Sequence, residues 1–186
     1  MKNVLTDAKA LAPELIQDLR AIHGFAEVGF DLPQTYAYVF EKLTEYGYQP
    51  QKVGKMGIPC LVGKPGPALL LRADMDALPM AEESGEPFAA VNGNCHSCGH
   101  DCHTAMLLAA AKLLKEREGE LKGTVKFMFQ PAEELLSGAN DMIDHGILEN
   151  PKVDAALALH IKSRPELSRR RGLFCGKVCD SNTGDA

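Results

Sequence analysis

Between residues 95 and 103 the sequence crowds Cys95, His96, Cys98, His100, Asp101, Cys102 and His103 into one short stretch. Thiolate, imidazole and carboxylate are the ligand set of zinc and its borderline neighbours. Gly99, between Cys98 and His100, would let both side chains turn toward one ion without backbone strain. A lone histidine or cysteine is more often a core residue than a ligand, so the density of the cluster carries the argument. Further groups suited to hydrolysis are the adjacent pair Glu133-Glu134, the acids Asp74 and Asp76, and His160. A hydrolytic metal site needs one carboxylate to hold the ion and another, unligated, to take a proton from water. Neighbouring glutamates can divide those tasks. A rival use of the cysteines is a structural zinc site built from Cys95-x-x-Cys98 and Cys175-x-x-x-Cys179, which would leave Glu133, Glu134 and His160 without a role.

The elements that must position these groups are read from apolar spacing and from glycine and proline punctuation. Thr6 to about Ile22 has helical spacing with a kink or restart at Pro13, and Pro33 to Tyr46 is a helix stopped by Gly47. Ile58–Val62 and Ala68–Ala73 read as buried strands. After an irregular stretch from about Pro79 to Gly99, the segment from Thr104 to Glu118 sets Met106, Leu107, Ala110, Leu113 and Leu114 on one helical face. Val125–Phe129 is a strand, Ser137–His145 a helix with a serine cap and Gly146 as terminator, and Val153–Leu159 another strand. This alternation predicts an α/β fold with a largely parallel central sheet flanked by helices in three layers.

Three of these strands run directly into polar groups: Ala68–Ala73 into Asp74 and Asp76, Val125–Phe129 into Gln130 and then Glu133-Glu134, and Val153–Leu159 into His160. Parallel strands share their carboxyl edge, which is where ligands bind in open α/β sheets, so residues distant in sequence would converge there.

Composition sets the outer bounds. The chain has 186 residues, 45% of them hydrophobic and 24% charged, which is the make-up of a folded globular protein. A chain of this size buries roughly 70% of its unfolded surface, so any metal would serve chemistry and is not needed to build a core. A net charge of -5 argues against nucleic acid as the main partner, and Arg169-Arg170-Arg171 reads as a solvated turn. No stretch of ~18 apolar residues and no apolar run behind a basic start is present, which gives the expectation of a cytoplasmic protein without membrane association.

The motifs Leu71-Arg72-Ala73-Asp74-Met75-Asp76-Ala77-Leu78-Pro79, Cys98-Gly99-His100-Asp101-Cys102-His103-Thr104-Ala105 and Gln130-Pro131-Ala132-Glu133-Glu134, with the strand ending in His160, resemble the N-acyl-amino-acid amidohydrolases. That family includes hippurate hydrolases, plant auxin-conjugate hydrolases and N-acetyldiaminopimelate deacetylases, and is related to aminoacylase and carboxypeptidase G. The resemblance implies a zinc-exopeptidase-like catalytic domain in which Cys98, His100, Glu134 and His160 hold a pair of divalent ions, zinc or manganese first, cobalt or nickel next. Cys98 would be a candidate bridge, Glu133 the general base, and Asp76 the acid that orients a ligand by a hydrogen bond. Asp74 and His103 would have supporting or capping roles, and Asp101 would favour the start of a helix. The implied reaction is hydrolysis of the amide bond of a small N-acyl amino acid by a metal-activated water.

The resemblance also places residues 1–186 as the N-terminal part of the catalytic domain, with a lid or dimerisation domain and a return segment carrying the last ligand histidine lying beyond it. On that reading the alternative is a catalytically inactive metal-binding fragment, or one that forms homo-oligomers through an uncovered apolar face. Two departures from the family pattern are Ala26, where proline is usual, and Cys95-His96-Ser97, where methionine, histidine and alanine are usual.

Overall fold

The computed structural model describes residues 3–161 and the backbone of residues 179–180. Helices α1 (Val4–Ala10), α2 (Ala12–Phe25) and α3 (Pro33–Glu45) precede strands β1 (Ile58–Gly63) and β2 (Ala68–Asp74). Helix α4 (His100–Glu116), strand β3 (Thr124–Gln130), helix α5 (Gly138–Asp144) and strands β4 (Ala155–Ala158) and β5 (Cys179–Asp180) complete the order. Pro13 is in the first turn of α2, so the expected kink is a restart after Leu11. Pro33 likewise opens α3, whose first amides are taken up from outside the helix: the Glu27 carboxylate accepts from the Gln34 and Thr35 N–H groups.

The sheet order is β1-β3-β2-β4-β5. Strands β3, β2 and β4 are parallel, as expected, while both edges are antiparallel. The sequence reading left the direction of β1 open, and its antiparallel course has a steric basis. Residues 64–67 must cross over the start of β3 to put β2 on its far side, a span of about 10 Å at ordinary strand spacing. Glycines make room for that crossing. A Cβ on Gly123 would lie 2.3 Å from the Pro67 carbonyl oxygen, and one on Gly63 would lie 2.2 Å from that of Gly123.

Alternation along β3 fills both faces. Phe127 and Phe129 pack with Ile58, Cys60 and Val62 of β1 and with Ile22, Val39, Leu43, Leu107 and Leu108 from α2, α3 and α4. On the opposite face Leu70 and Met128 pack with Met142 of α5 and Ile147. The molecule is therefore helix, sheet and helix in three layers. Lys126 is buried within β3, and its ammonium donates to the carbonyls of Ile147, Glu149 and Pro151, which explains a lysine inside an apolar strand. Among the described residues no helix is long and apolar enough to cross a membrane.

Helix α4 begins at His100, earlier than the apolar spacing predicts. Its first turn presents His100, His103 and Thr104 to the interior where apolar residues would otherwise mark a helix, so the pattern was hidden by polar side chains with buried partners. Ser137 occupies the cap position of α5, but its side chain makes no capping bond, contrary to expectation.

Candidate metal centre

The carboxyl ends of β2, β3 and β4 meet the N-terminus of α4, as the parallel core requires. Gly99, with φ +85, turns the chain so that Cys98 and His100 lie on either side of it and face one point. Ligand atoms of Cys98, His100 and Glu134 all lie within 4.8 Å of one another. His160 joins them, its Nε2 3.5 Å from the Cys98 sulfur. Glu133 is the next neighbour, with Oε2 3.7 Å from His100 Nε2.

The turn carrying the two glutamates is held from below. Ala132 closes it in the left-handed region, φ 49, and its N–H donates to the Gly29 carbonyl. Asp76, fully buried, accepts the Glu133 N–H on one oxygen at 3.0 Å and the Glu134 N–H on the other at 3.1 Å. Its main-chain carbonyl takes the His100 Nδ1 proton at 2.8 Å, so Nε2 is the nitrogen left to face the site. The two glutamates differ in access: the Glu133 side chain is 34% exposed and that of Glu134 21%.

Electrostatics here are dominated by clustered acids. Burial pushes the Cys98 thiol up to about 11, and the Glu134 charge adds to it. Burial pulls His100 down, but its bond to Asp76 and the charges of Asp74 and Asp76 outweigh burial and raise it above the usual imidazole range. Asp74 would likewise be raised by burial, yet His103, Arg72 and His100 together hold it below the usual carboxylate range. Burial pushes His96 down to about 4. Both of its ring nitrogens are buried without a partner among the described residues.

Whether these residues fit a metal is tested by the groups left unsatisfied. Among the described residues, His100 Nε2 and Glu134 Oε1 are buried without a hydrogen-bond partner, and they face each other at 3.8 Å. Two orphaned ligand atoms beside a thiol cost free energy unless a cation joins them. The donor set of sulfur, imidazole and carboxylate suits a borderline divalent ion.

A second trio within ligand distance, Asp74, His100 and His103, is already engaged. Asp74 is 2.6 Å from His103 Nδ1 and 2.7 Å from Arg72 Nη1. Arg72 also donates to Gln130 at 2.8 Å. The sequence signal for these contacts is a charged residue, Arg72, and an amide, Gln130, inside otherwise apolar strands. Asp101, placed by sequence at a helix start, accepts the Cys102 N–H and binds His23, which reaches Glu82 with its other nitrogen. In the rival zinc site Cys175 and the side chain of Cys179 lie outside the described residues, as do Arg169, Arg170 and Arg171.

A family model described as peptidase family M20/M25/M40 matches residues 70–174, more than half of the chain and every element that meets at the centre. The chain belongs to this peptidase family. It is 42% identical over 156 residues to an N-acetyl-L-cysteine deacetylase of Bacillus subtilis, covering 82% of this chain and 37% of that one. It is 38% identical over 168 residues to an N-acyl-L-amino acid amidohydrolase of Geobacillus stearothermophilus, covering 84% and 44%. The crystal structure of the Bacillus subtilis YxeP protein, a dinuclear metal-binding peptidase of the M20 family, superposes with a TM-score of 0.78 at 40% identity over 83% of this chain and 44% of that one. The chain thus spans less than half the length of these relatives. Ala26, where the sequence departs from the family's usual proline, is buried and closes α2 at φ 37, a conformation that a proline ring cannot take.

Proposed function

We propose that the chain is the N-terminal part of the catalytic domain of a dimetal amidohydrolase that cleaves the amide bond of N-acyl amino acids. The observation that carries this reading is the pair of buried, partnerless atoms His100 Nε2 and Glu134 Oε1, with the Cys98 thiol alongside. Cys98, His100, Glu134 and His160 would hold the ions, zinc or manganese by preference and cobalt or nickel by the same donor chemistry. Bound there, the ions would supply Lewis acidity to a water and to the acyl carbonyl. Glu133 takes the proton of the attacking water and delivers it to the departing amine nitrogen as the C–N bond breaks, leaving a carboxylic acid and a free amino acid. Its greater exposure supports this division of labour, since the base must reach solvent and substrate while Glu134 faces inward. Asp76 keeps both glutamates in place through their backbone N–H groups. The relatives' names, a deacetylase of N-acetyl-L-cysteine and an amidohydrolase of N-acyl-L-amino acids, support a small N-acyl amino acid as substrate.

Amine release from N-acetyl amino acids and hippurate with added zinc or manganese tests the reading. Glu133→Gln is expected to lower turnover about 10²- to 10⁴-fold while ions stay bound. Equal turnover in Glu133→Gln and wild type would overturn the role of the base. Ion binding with no hydrolysis would favour the inactive metal-binding fragment, and sedimentation would show whether that fragment self-associates.

A further inference from the structure

The ring of His160 is exposed; its Nδ1 is 2.5 Å from the Ile161 carbonyl oxygen and its Nε2 3.5 Å from the Cys98 sulfur, so its place over Cys98 depends on where the backbone of Ile161 is held. The β4 ladder ends at Ala158, paired with Arg72. Beyond it the Ile161 N–H donates to His103 Nε2 at 2.9 Å. A backbone N–H can only donate, so Nε2 of His103 carries a lone pair and the ring proton is on Nδ1, aimed at Asp74. Asp74 is in turn bound by Arg72, and Arg72 by Gln130. A row of polar side chains therefore runs from the end of β3 through β2 and α4 to the residue after His160. Ile161 is also wedged against the ligand loop, since a Cβ on Gly99 would lie 2.5 Å from its Cδ1. The ring of His103 meets that of His160 edge-on, centroids 4.8 Å apart.

We propose that His103 is a positioning residue that holds the His160 imidazole of the metal centre in register with Cys98 by accepting the Ile161 N–H, with Arg72 and Asp74 fixing its tautomer. This rests on the dimetal reading above. Both nitrogens of His103 are committed, so it orders a ligand without being one. Partners of this kind typically change metal affinity by about 10- to 100-fold when removed.

Zinc affinity measured by chelator competition on the full 186-residue chain separates the alternatives. His103→Leu fills the space without an acceptor and is expected to weaken zinc binding by about 10- to 100-fold. His103→Gln, whose Oε1 can accept the Ile161 N–H, is expected to recover most of that loss. Wild-type zinc affinity in a folded His103→Leu, or equal loss in both variants, would overturn the proposal. Amide exchange in the metal-free wild type gives a readout that does not depend on folding of a variant: Ile161 N–H is expected to be protected, and exchange at the free-coil rate would overturn the proposal. If wild type binds zinc and His103→Leu is indifferent, this inference alone fails; if wild type binds no zinc, the proposed function fails and this inference with it.

Discussion

Asp76→Asn tests the support beneath the two glutamates. In the native structure both carboxylate oxygens accept, one from the Glu133 N–H and one from the Glu134 N–H, with no exposure to water. An asparagine can offer its oxygen to only one of these donors; its amide nitrogen then confronts the other, donor against donor. A hydrogen bond to a charged acceptor contributes about 1.5–3 kcal/mol, and leaving its buried partner unsatisfied costs about 1–3 kcal/mol. The two figures describe overlapping parts of one event, so about 3 kcal/mol is the working loss. For a chain of this size that lowers Tm by roughly 6–12 °C. The orientation of His100 should be kept, because its Nδ1 bond goes to the main-chain carbonyl of Asp76, although loss of the Asp76 charge removes part of what raises its pKa. If the turn relaxes to find a new acceptor, Glu134 leaves the ligand cluster and zinc affinity falls by up to about 100-fold at 1.4 kcal/mol per decade. Circular-dichroism melts of the metal-free protein and chelator competition measure both effects. A melt within about 2 °C of wild type with unchanged zinc affinity would refute the reasoning.

Gly138→Ala would place a Cβ 1.6 Å from the Pro131 carbonyl oxygen, so it is expected to cost about 3 kcal/mol or more and to displace the glutamate turn; a wild-type melt would contradict this. Glu14 is raised by burial but held below its usual range by bonds from Lys112, Tyr46 and Lys42, so its stabilisation is present above the ordinary glutamate pKa and lost as pH falls through the lower folded value. Glu14→Gln should therefore lower Tm at pH 7, and the difference from wild type should shrink as pH falls below the ordinary glutamate pKa, which melts across a pH series check. With its thiol raised to about 11, Cys98 is protonated in the metal-free protein at neutral pH, and zinc binding should release that proton; a calorimetric titration in buffers of different ionisation enthalpy measures the release, and Cys98→Ala should remove it.

The convergence of the candidate site residues was legible in the sequence because three apolar runs each end in a group that can ligate or titrate. Asp74 and Asp76, Glu133 and Glu134, and His160 all emerge from parallel neighbours, so the topology brings them together as the pattern of strand ends implied. Two features were not legible, for different reasons. The start of α4 was hidden because its buried face is built from His100 and His103, whose partners come from elsewhere in the chain. The direction of β1 was hidden because a period of two carries no sign; only the crowding of Gly63, Gly66 and Gly123 at the crossover marks it. The family resemblance gives Asp76 the role of orienting a ligand, and the structure adds the grip on the glutamate backbone, a bond to N–H groups that no residue type reveals.

The central claim is that Glu134 and its neighbours form an ion site while Glu133 stands beside it. Zinc titration of the wild-type chain, Glu134→Gln and Glu133→Gln tests this most directly. Wild type and Glu133→Gln are expected to bind alike and Glu134→Gln to bind at least about tenfold more weakly. Equal binding by all three would contradict the account.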